Sequence, residues 1–203
     1  MIRLYCATGN PGKLREFRLA AQGLQRARFK PTRPDIELEL LPDFRHLPSC
    51  PETSATFEEN ALQKARHYVP YAPGLLFADD SGLEVEALGG APGVFSARFA
   101  GPNATDVENN RLLLEKLNGV SRRAARFVCA IALVEGGGLV RGVFHGAVEG
   151  VITQQPRGTG GFGYDPLFYY PPFACTFGEA TAEQKFLVSH RGQALRAMLE
   201  SLP

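Results

Sequence analysis

A chain of 203 residues is long enough for one sizeable core, and 44% hydrophobic with 21% charged residues is ordinary for a globular protein. The formal net charge of +1 provides no global field favouring nucleic acid or an anionic membrane, so any phosphate binding must come from a few placed cations. Four widely spaced cysteines without a C-x-x-C pair argue against a zinc site or disulfide framework and suit a reducing cytosol. The chain opens without an apolar leader, and no stretch approaches the roughly 18 apolar residues of a membrane span.

The apolar run from Ile2 to Ala7 predicts a buried strand. Asn10 then offers a helix N-cap and Pro11 suits the first helical position, with Leu14, Phe17, Ala21 and Leu24 following at helical spacing. Between strand and helix lies Ala7-Thr8-Gly9-Asn10-Pro11-Gly12-Lys13. Its glycines let backbone N–H groups approach a phosphate, the helix N-terminus adds positive potential, and Lys13 adds a point charge. It is not a Walker A loop, which needs four residues between its glycines and Ser or Thr after the lysine; here two intervene and Leu14 follows. Alone, the segment reads equally well as a tight turn with a surface lysine.

Residues 26–53 contain five prolines and a strand-like Ile36–Leu41, and are the least regular part of the chain. Thr56 and Glu59 form a capping-box pattern that predicts a helix to about Tyr68. Asn60 and Lys64, four apart on one face of it, can reach a common ligand. Leu75 to Ala78 predicts a short buried strand ending at Asp79-Asp80-Ser81-Gly82. Ligands of α/β sheets gather at the carboxyl ends of strands, and successive side chains point to opposite sides. One acid can therefore hold a metal or act as a base while the other bonds the scaffold; the plain alternative is an Asp-Ser-Gly turn.

A second capping box, Thr105 and Glu108, opens the helix carrying Leu112, Leu113 and Leu117. Phe127–Val134 and Leu139–Val143 predict strands around Gly136-Gly137-Gly138, and Val148–Thr153 a further one. The run Gly158-Thr159-Gly160-Gly161-Phe162-Gly163 satisfies G-x-G-x-x-G, but Pro166 and the Tyr169–Pro172 segment replace the helix a dinucleotide site requires. Phe162 and Tyr164 suggest instead an aromatic face for stacking on a base, against the alternative of core aromatics in a glycine-rich hairpin. Lys185 and Ser189-His190-Arg191 offer donors to a heterocycle or phosphate, although alone the last three read as an N-cap and solvated polar residues. Leu195, Met198, Leu199 and Leu202 mark one face of a C-terminal helix. The fold class that follows is α/β with a mixed sheet.

Taken together these segments resemble the Ham1/inosine triphosphate pyrophosphatase family, the dITP/XTP pyrophosphatases, from Ala7 to Ala197. The resemblance is carried by six blocks in the family's order: residues 7–13, 56–66, 78–83, 89–98, 158–166 and 189–195. It implies a two-lobed α/β fold, a central mixed sheet flanked by helices with a cleft between lobes, formed by one domain over 1–203. It implies a usually homodimeric, cytoplasmic enzyme that converts ITP, dITP and XTP to monophosphate and pyrophosphate and so keeps them out of DNA and RNA. Asp80 matches the general base and, with Glu52, the Mg²⁺-associated acids. Thr8, Gly9, Asn10, Pro11, Gly12 and Lys13 match the triphosphate loop, with Lys64 in the same cleft and Ser81 touching substrate. Phe162 matches the residue that stacks on the base, with Gly163 and Tyr164 beside it. Asp165, Ser189, His190 and Arg191 match the hydrogen-bonding set, and Lys185 a substrate lysine. Two rivals stand beside this reading. A Maf-type nucleotide pyrophosphatase would carry Ser-Pro-Arg-Arg near the N-terminus, which is missing here. A non-catalytic nucleotide-binding regulatory module would have no use for Asp80, Lys13 and Lys64 together.

Overall fold

The computed structural model describes residues 2–27 and 35–202, without the side chains of Ala20 and residues 22–27. The Leu24 side chain and residues 28–34 of the proline-rich stretch therefore lie outside what is described. Among the described residues, seven strands hydrogen-bond in the order β2-β1-β3-β4-β5-β6-β7. These are β1 (Ile2–Cys6), β2 (Ile36–Leu40), β3 (Leu75–Val85), β4 (Ala124–Glu135), β5 (Leu139–Ile152), β6 (Phe168–Tyr170) and β7 (Cys175–Thr176). Strand β1 is parallel to β2 and β3, whereas β6 is antiparallel to β5 and β7, so the sheet is mixed, as the sequence predicts. The helices are α1 (Pro11–Ala27), α2 (Phe57–Tyr68), α3 (Asp106–Lys116), α4 (Ala182–Val188) and α5 (His190–Glu200). Among the described residues, no helix is long and apolar enough to cross a membrane.

The chain divides into two compact units. The first comprises Met1–Asp80, Cys129–Gly146 and Arg191–Pro203. Its core holds Leu4, Leu76, Ile131 and Leu133, with Phe17 of α1 meeting Phe77 of β3 edge-on, ring centres 5.3 Å apart. The face of α5 read from the sequence is the buried one: Leu195, Met198, Leu199 and Leu202 all lie inside. The second unit comprises Ser81–Val128 and Ala147–His190. Leu83, Val85, Leu113, Leu117, Phe127, Phe168 and Phe177 pack together in its core.

The caps decide where the helices start. Asn10 Oδ1 accepts from the N–H groups of Gly12 and Lys13 at 2.8 and 3.1 Å. Thr56 accepts from the Glu59 N–H at 3.2 Å. Thr105 and Glu108 form the complete reciprocal box at the start of α3. Removing the cap with Thr105→Ala is expected to lower unfolding free energy by about 1 kcal/mol, read from urea denaturation; an unchanged midpoint would contradict this role.

Three elements differ from the sequence reading. Strand β3 does not stop at Ala78 but runs through Asp79–Gly82 to Val85. Its acids need no turn to reach water, because side chains of the protein satisfy them. The strand-like runs 139–143 and 148–152 belong to one 14-residue strand, β5, which ends one residue before Thr153. The segment before Ser189 is the short helix α4, closed at its start by a Thr181–Gln184 capping box; Ser189, extended, is its C-cap and also the residue directly before α5, the N-cap position the sequence suggests.

Candidate active site

The turn from β1 into α1 leads to a lysine aimed back at β3. The Ala7 N–H donates to Phe77 O at 2.9 Å, tying the turn to β3. Thr8 Oγ1 accepts from the Asn10 N–H at 3.2 Å, while Gly9 and Asn10 remain exposed. No acidic residue stands in the first turn of α1 to offset its positive end. Lys13, one turn in, places Nζ 2.8 Å from Asp79 Oδ2.

The paired acids of β3 take different partners. Asp79 is buried, faces Lys13, and lies 3.9 Å from Arg191 Nε; its backbone carbonyl accepts from Lys64 Nζ at 2.9 Å. Burial works against its ionisation, but Lys13, Lys64 and Arg191 together outweigh burial and hold the carboxyl below its ordinary range. Asp80 Oδ2 instead accepts from Asn60 Nδ2 at 3.0 Å, and Asn60 is itself oriented by accepting from the Ser54 N–H at 3.0 Å. Burial raises the Asp80 carboxyl above its ordinary range; Lys64 and Lys13 pull it down, Glu52 repels it upward, and the net shift is up. The two neighbouring carboxyls are thus shifted in opposite directions, Asp79 toward its ionised form and Asp80 away from it.

Lys64 joins the group. Its Nζ lies 2.6 Å from Glu52 Oε1, and although burial disfavours its charge, Asp79, Glu52 and Asp80 raise its pKa. Asn60 and Lys64, four apart on α2, reach neighbouring rather than shared partners: Asn60 bonds the Asp80 carboxylate, and Lys64 the Glu52 carboxylate and the Asp79 carbonyl. Arg191 also belongs to this unit, donating from Nη1 to Glu16 Oε2 at 2.9 Å. Lys13, Lys64 and Arg191 supply three positive charges; Glu16, Glu52, Asp79 and Asp80 supply four negative ones.

The second unit gathers another set around Asp165. Its buried Oδ2 accepts from the Phe162 N–H at 2.8 Å and from Lys185 Nζ at 2.5 Å. Lys185 Nζ lies 5.1 Å from the centre of the Phe162 ring and 5.7 Å from that of Phe177. Gly161 has φ 72°, and a Cβ there would strike the Asp165 carboxylate, so the loop closes this tightly only with glycine. His190 stacks on Phe127 with ring centres 4.8 Å apart. Ser189 and His190 are buried, and Ser81 is half-buried. After the loop comes β6 rather than a helix, in keeping with the rejection of a dinucleotide fingerprint. Phe162 and Tyr164 do not form one aromatic face. Tyr164 turns into the core and donates its hydroxyl to Ser96 O at 2.8 Å, whereas Phe162 remains partly exposed.

Asn60, Asp79 and Glu16 complete these groups. Asn60 carries a sequence signal, its spacing from Lys64; Glu16, 175 residues from the Arg191 it pairs with, carries none. Among the described residues no group of three or more His, Cys, Asp or Glu side chains is placed to hold a metal.

The model of the Ham1 family matches residues 4–201 of this chain. A dITP/XTP pyrophosphatase of Exiguobacterium sp. is 49% identical over 197 residues, which is 97% of this chain and 95% of the relative. A HAM1 protein from Coxiella burnetii superposes with a TM-score of 0.82 at 40% identity, covering 98% of this chain and 96% of that one. The Staphylococcus aureus Ham1 protein gives 0.80 at 38% identity, with 98% of both chains covered.

Proposed function

The chain belongs to the Ham1 family, and from that premise we propose that it is a nucleoside-triphosphate pyrophosphatase that hydrolyses dITP, XTP and ITP to monophosphate and pyrophosphate. The observation that carries the chemistry is the pairing of Asp79, held ionised by Lys13 and Arg191, with Asp80, pushed toward protonation beside it. Asp80 is the general base: it orients a water on the α-phosphorus and accepts its proton, with Asn60 fixing the carboxylate. Lys13 and Lys64, with the N–H groups of Thr8 and Gly9, meet the charge that moves onto phosphate oxygens. Asp79 anchors Lys13.

Asp80 and Glu52 fit a Mg²⁺ ion. They are hard oxygen donors drawn to one lysine, Glu52 repels Asp80, and the seven charged groups sum to minus one before any phosphate arrives. Mg²⁺ needs only about one or two carboxylates and takes its other ligands from substrate and water. When bound it supplies charge neutralisation on the phosphates.

In the second unit, Phe162 is proposed to stack on the purine, with Lys185, Ser189 and His190 as donors facing it. Asp165 holds Lys185 and the Phe162 backbone. Position 6 of hypoxanthine and xanthine carries an acceptor oxygen and that of adenine a donor amino group, so a pocket lined by donors selects the oxo purines. Mismatching such a site discriminates by up to roughly 10⁴–10⁵. We place the enzyme in the cytoplasm, where its four unpaired cysteines stay reduced, as one domain that forms a homodimer. The reading is tested by kcat/KM for ITP, dITP, XTP, GTP and ATP with Mg²⁺. Preference for the first three is expected; equal values for ITP and ATP would contradict it.

A further inference from the structure

We propose that Asp106 and Asn110 of α3 are positioning residues that hold the loop presenting Phe162 and thereby set how tightly a nucleobase is bound. The inference rests on the purine-triphosphate reading above. The Gly163 N–H donates to Asp106 Oδ2 at 2.6 Å, and Gly163 O accepts from Asn110 Nδ2 at 2.9 Å. One glycine is therefore gripped at both of its polar groups by side chains four residues apart on one helix face. Gly163 adopts φ 61°, which glycine reaches without steric cost, and glycine brings no side chain of its own to fix the backbone there. The grip stands on a rigid mount. The Thr105–Glu108 box closes the first turn of α3, and Leu113 and Leu117 are fully buried.

The neighbouring tethers fall at the same place. The Phe162 N–H is bound by Asp165, and the Tyr164 hydroxyl by Ser96 O. Phe162 is thus the side chain carried between fixed points, while residues 154–161 before it are exposed. Among the described residues the buried Asn110 Oδ1 has no hydrogen-bond partner, so this amide is oriented by its bond to Gly163 O alone. A platform that must stack on a flat base gains affinity when it is held in place before the ligand arrives.

The test uses the full chain with ITP and Mg²⁺, and the variants Asp106→Ala, Asp106→Asn, Asn110→Asp, Phe162→Ala and the Asp106→Ala/Phe162→Ala pair. Asn110→Asp keeps the shape but sets a carboxylate against the Gly163 carbonyl; Asp106→Asn keeps an acceptor for the Gly163 N–H. Asp106→Ala and Asn110→Asp are expected to raise KM about tenfold with kcat within about twofold, while Asp106→Asn stays within about threefold of wild type. Added to Phe162→Ala, the Asp106→Ala change should do nothing more, because both act through one ring. Amide exchange in residues 158–166 should quicken in Asp106→Ala. Loss of helix stability alone would lower the active fraction, and so kcat, instead of KM. If Asp106→Ala folds poorly, the contrast between Asp106→Asn and Asn110→Asp carries the test. Wild-type KM in Asp106→Ala and Asn110→Asp beside a raised KM in Phe162→Ala overturns the clamp, as do additive effects in the double variant. Wild-type KM in Phe162→Ala overturns the stacking reading itself, and the clamp with it.

Discussion

Asp80→Asn is expected to lower ITP turnover by about 10²–10⁴-fold, the usual contribution of a placed general base, while leaving the protein folded. The substitution keeps the shape of the side chain, and the amide can still pair with Asn60, so packing is hardly changed. Its effect on stability has a definite sign. Burial, with repulsion from Glu52, lifts the folded pKa above the ordinary 3.8 in spite of Lys64 and Lys13. A carboxyl shifted upward contributes stability below its ordinary value and loses it as pH rises through the folded value. At neutral pH the ionised Asp80 is therefore a stability cost, and Asp80→Asn should melt at or above the wild-type temperature there. Below pH 3.8 the difference should close. Wild-type turnover in Asp80→Asn, or a variant markedly less stable at neutral pH, would show that Asp80 is a structural group instead. In the wild type, turnover should fall on acidification through the raised Asp80 pKa.

Asp79 is expected to behave in the opposite way. Asp79→Ala removes the buried partner of Lys13 and leaves Lys13 and Arg191 facing each other without their shared anion. Breaking a buried charge group from one side costs about 3–5 kcal/mol. In a protein of this size that lowers Tm by roughly 10 °C. The dependence on pH is also inverted. The Asp79 carboxyl, buried but dominated by Lys13, Lys64 and Arg191, sits below its ordinary value. Its contribution is present above the ordinary carboxylate range and is lost as pH falls through the depressed folded value. Scanning calorimetry should find Asp79→Ala far less stable than wild type at neutral pH and the gap narrowing in acid. Adding Lys13→Met should restore part of the loss, since the orphaned charge is then removed. A Tm for Asp79→Ala within a degree or two of wild type would mean that the ion group is screened despite its burial.

The two residues explain how far a linear reading reaches. Local chemistry was readable: Asn10 caps α1, Thr105 and Glu108 close α3, and the leucine face of α5 is buried. Each of these depends on residues two to four apart along the chain or on the helical repeat. The sequence predicts β3 only as far as Ala78 because four polar or small residues, 79–82, resemble a turn when their partners are unknown. Those partners, Lys13 and Asn60, come from other elements, and pairing with them is what lets a strand continue through two acids. Two successive acids can be placed on opposite sides from the pleat of a strand, but which carboxyl is held down and which is pushed up depends on burial and on Lys13, Lys64 and Arg191, brought in from other elements. Phe162 and Tyr164 look alike in sequence; only the Tyr164 bond to Ser96 O separates a core ring from the more open one. The grip of Asp106 and Asn110 on Gly163, across 57 and 53 residues, has no sequence signature.

The position of bond cleavage bears most directly on the proposed reaction. ITP is hydrolysed with Mg²⁺ in ¹⁸O-labelled water, and the products are separated by ion chromatography and weighed by mass spectrometry. Water activated by Asp80 at the α-phosphorus yields IMP carrying the label and unlabelled pyrophosphate. Accumulation of IDP with labelled orthophosphate would contradict a pyrophosphatase outright, and unlabelled IMP with labelled pyrophosphate would move the attack to the β-phosphorus.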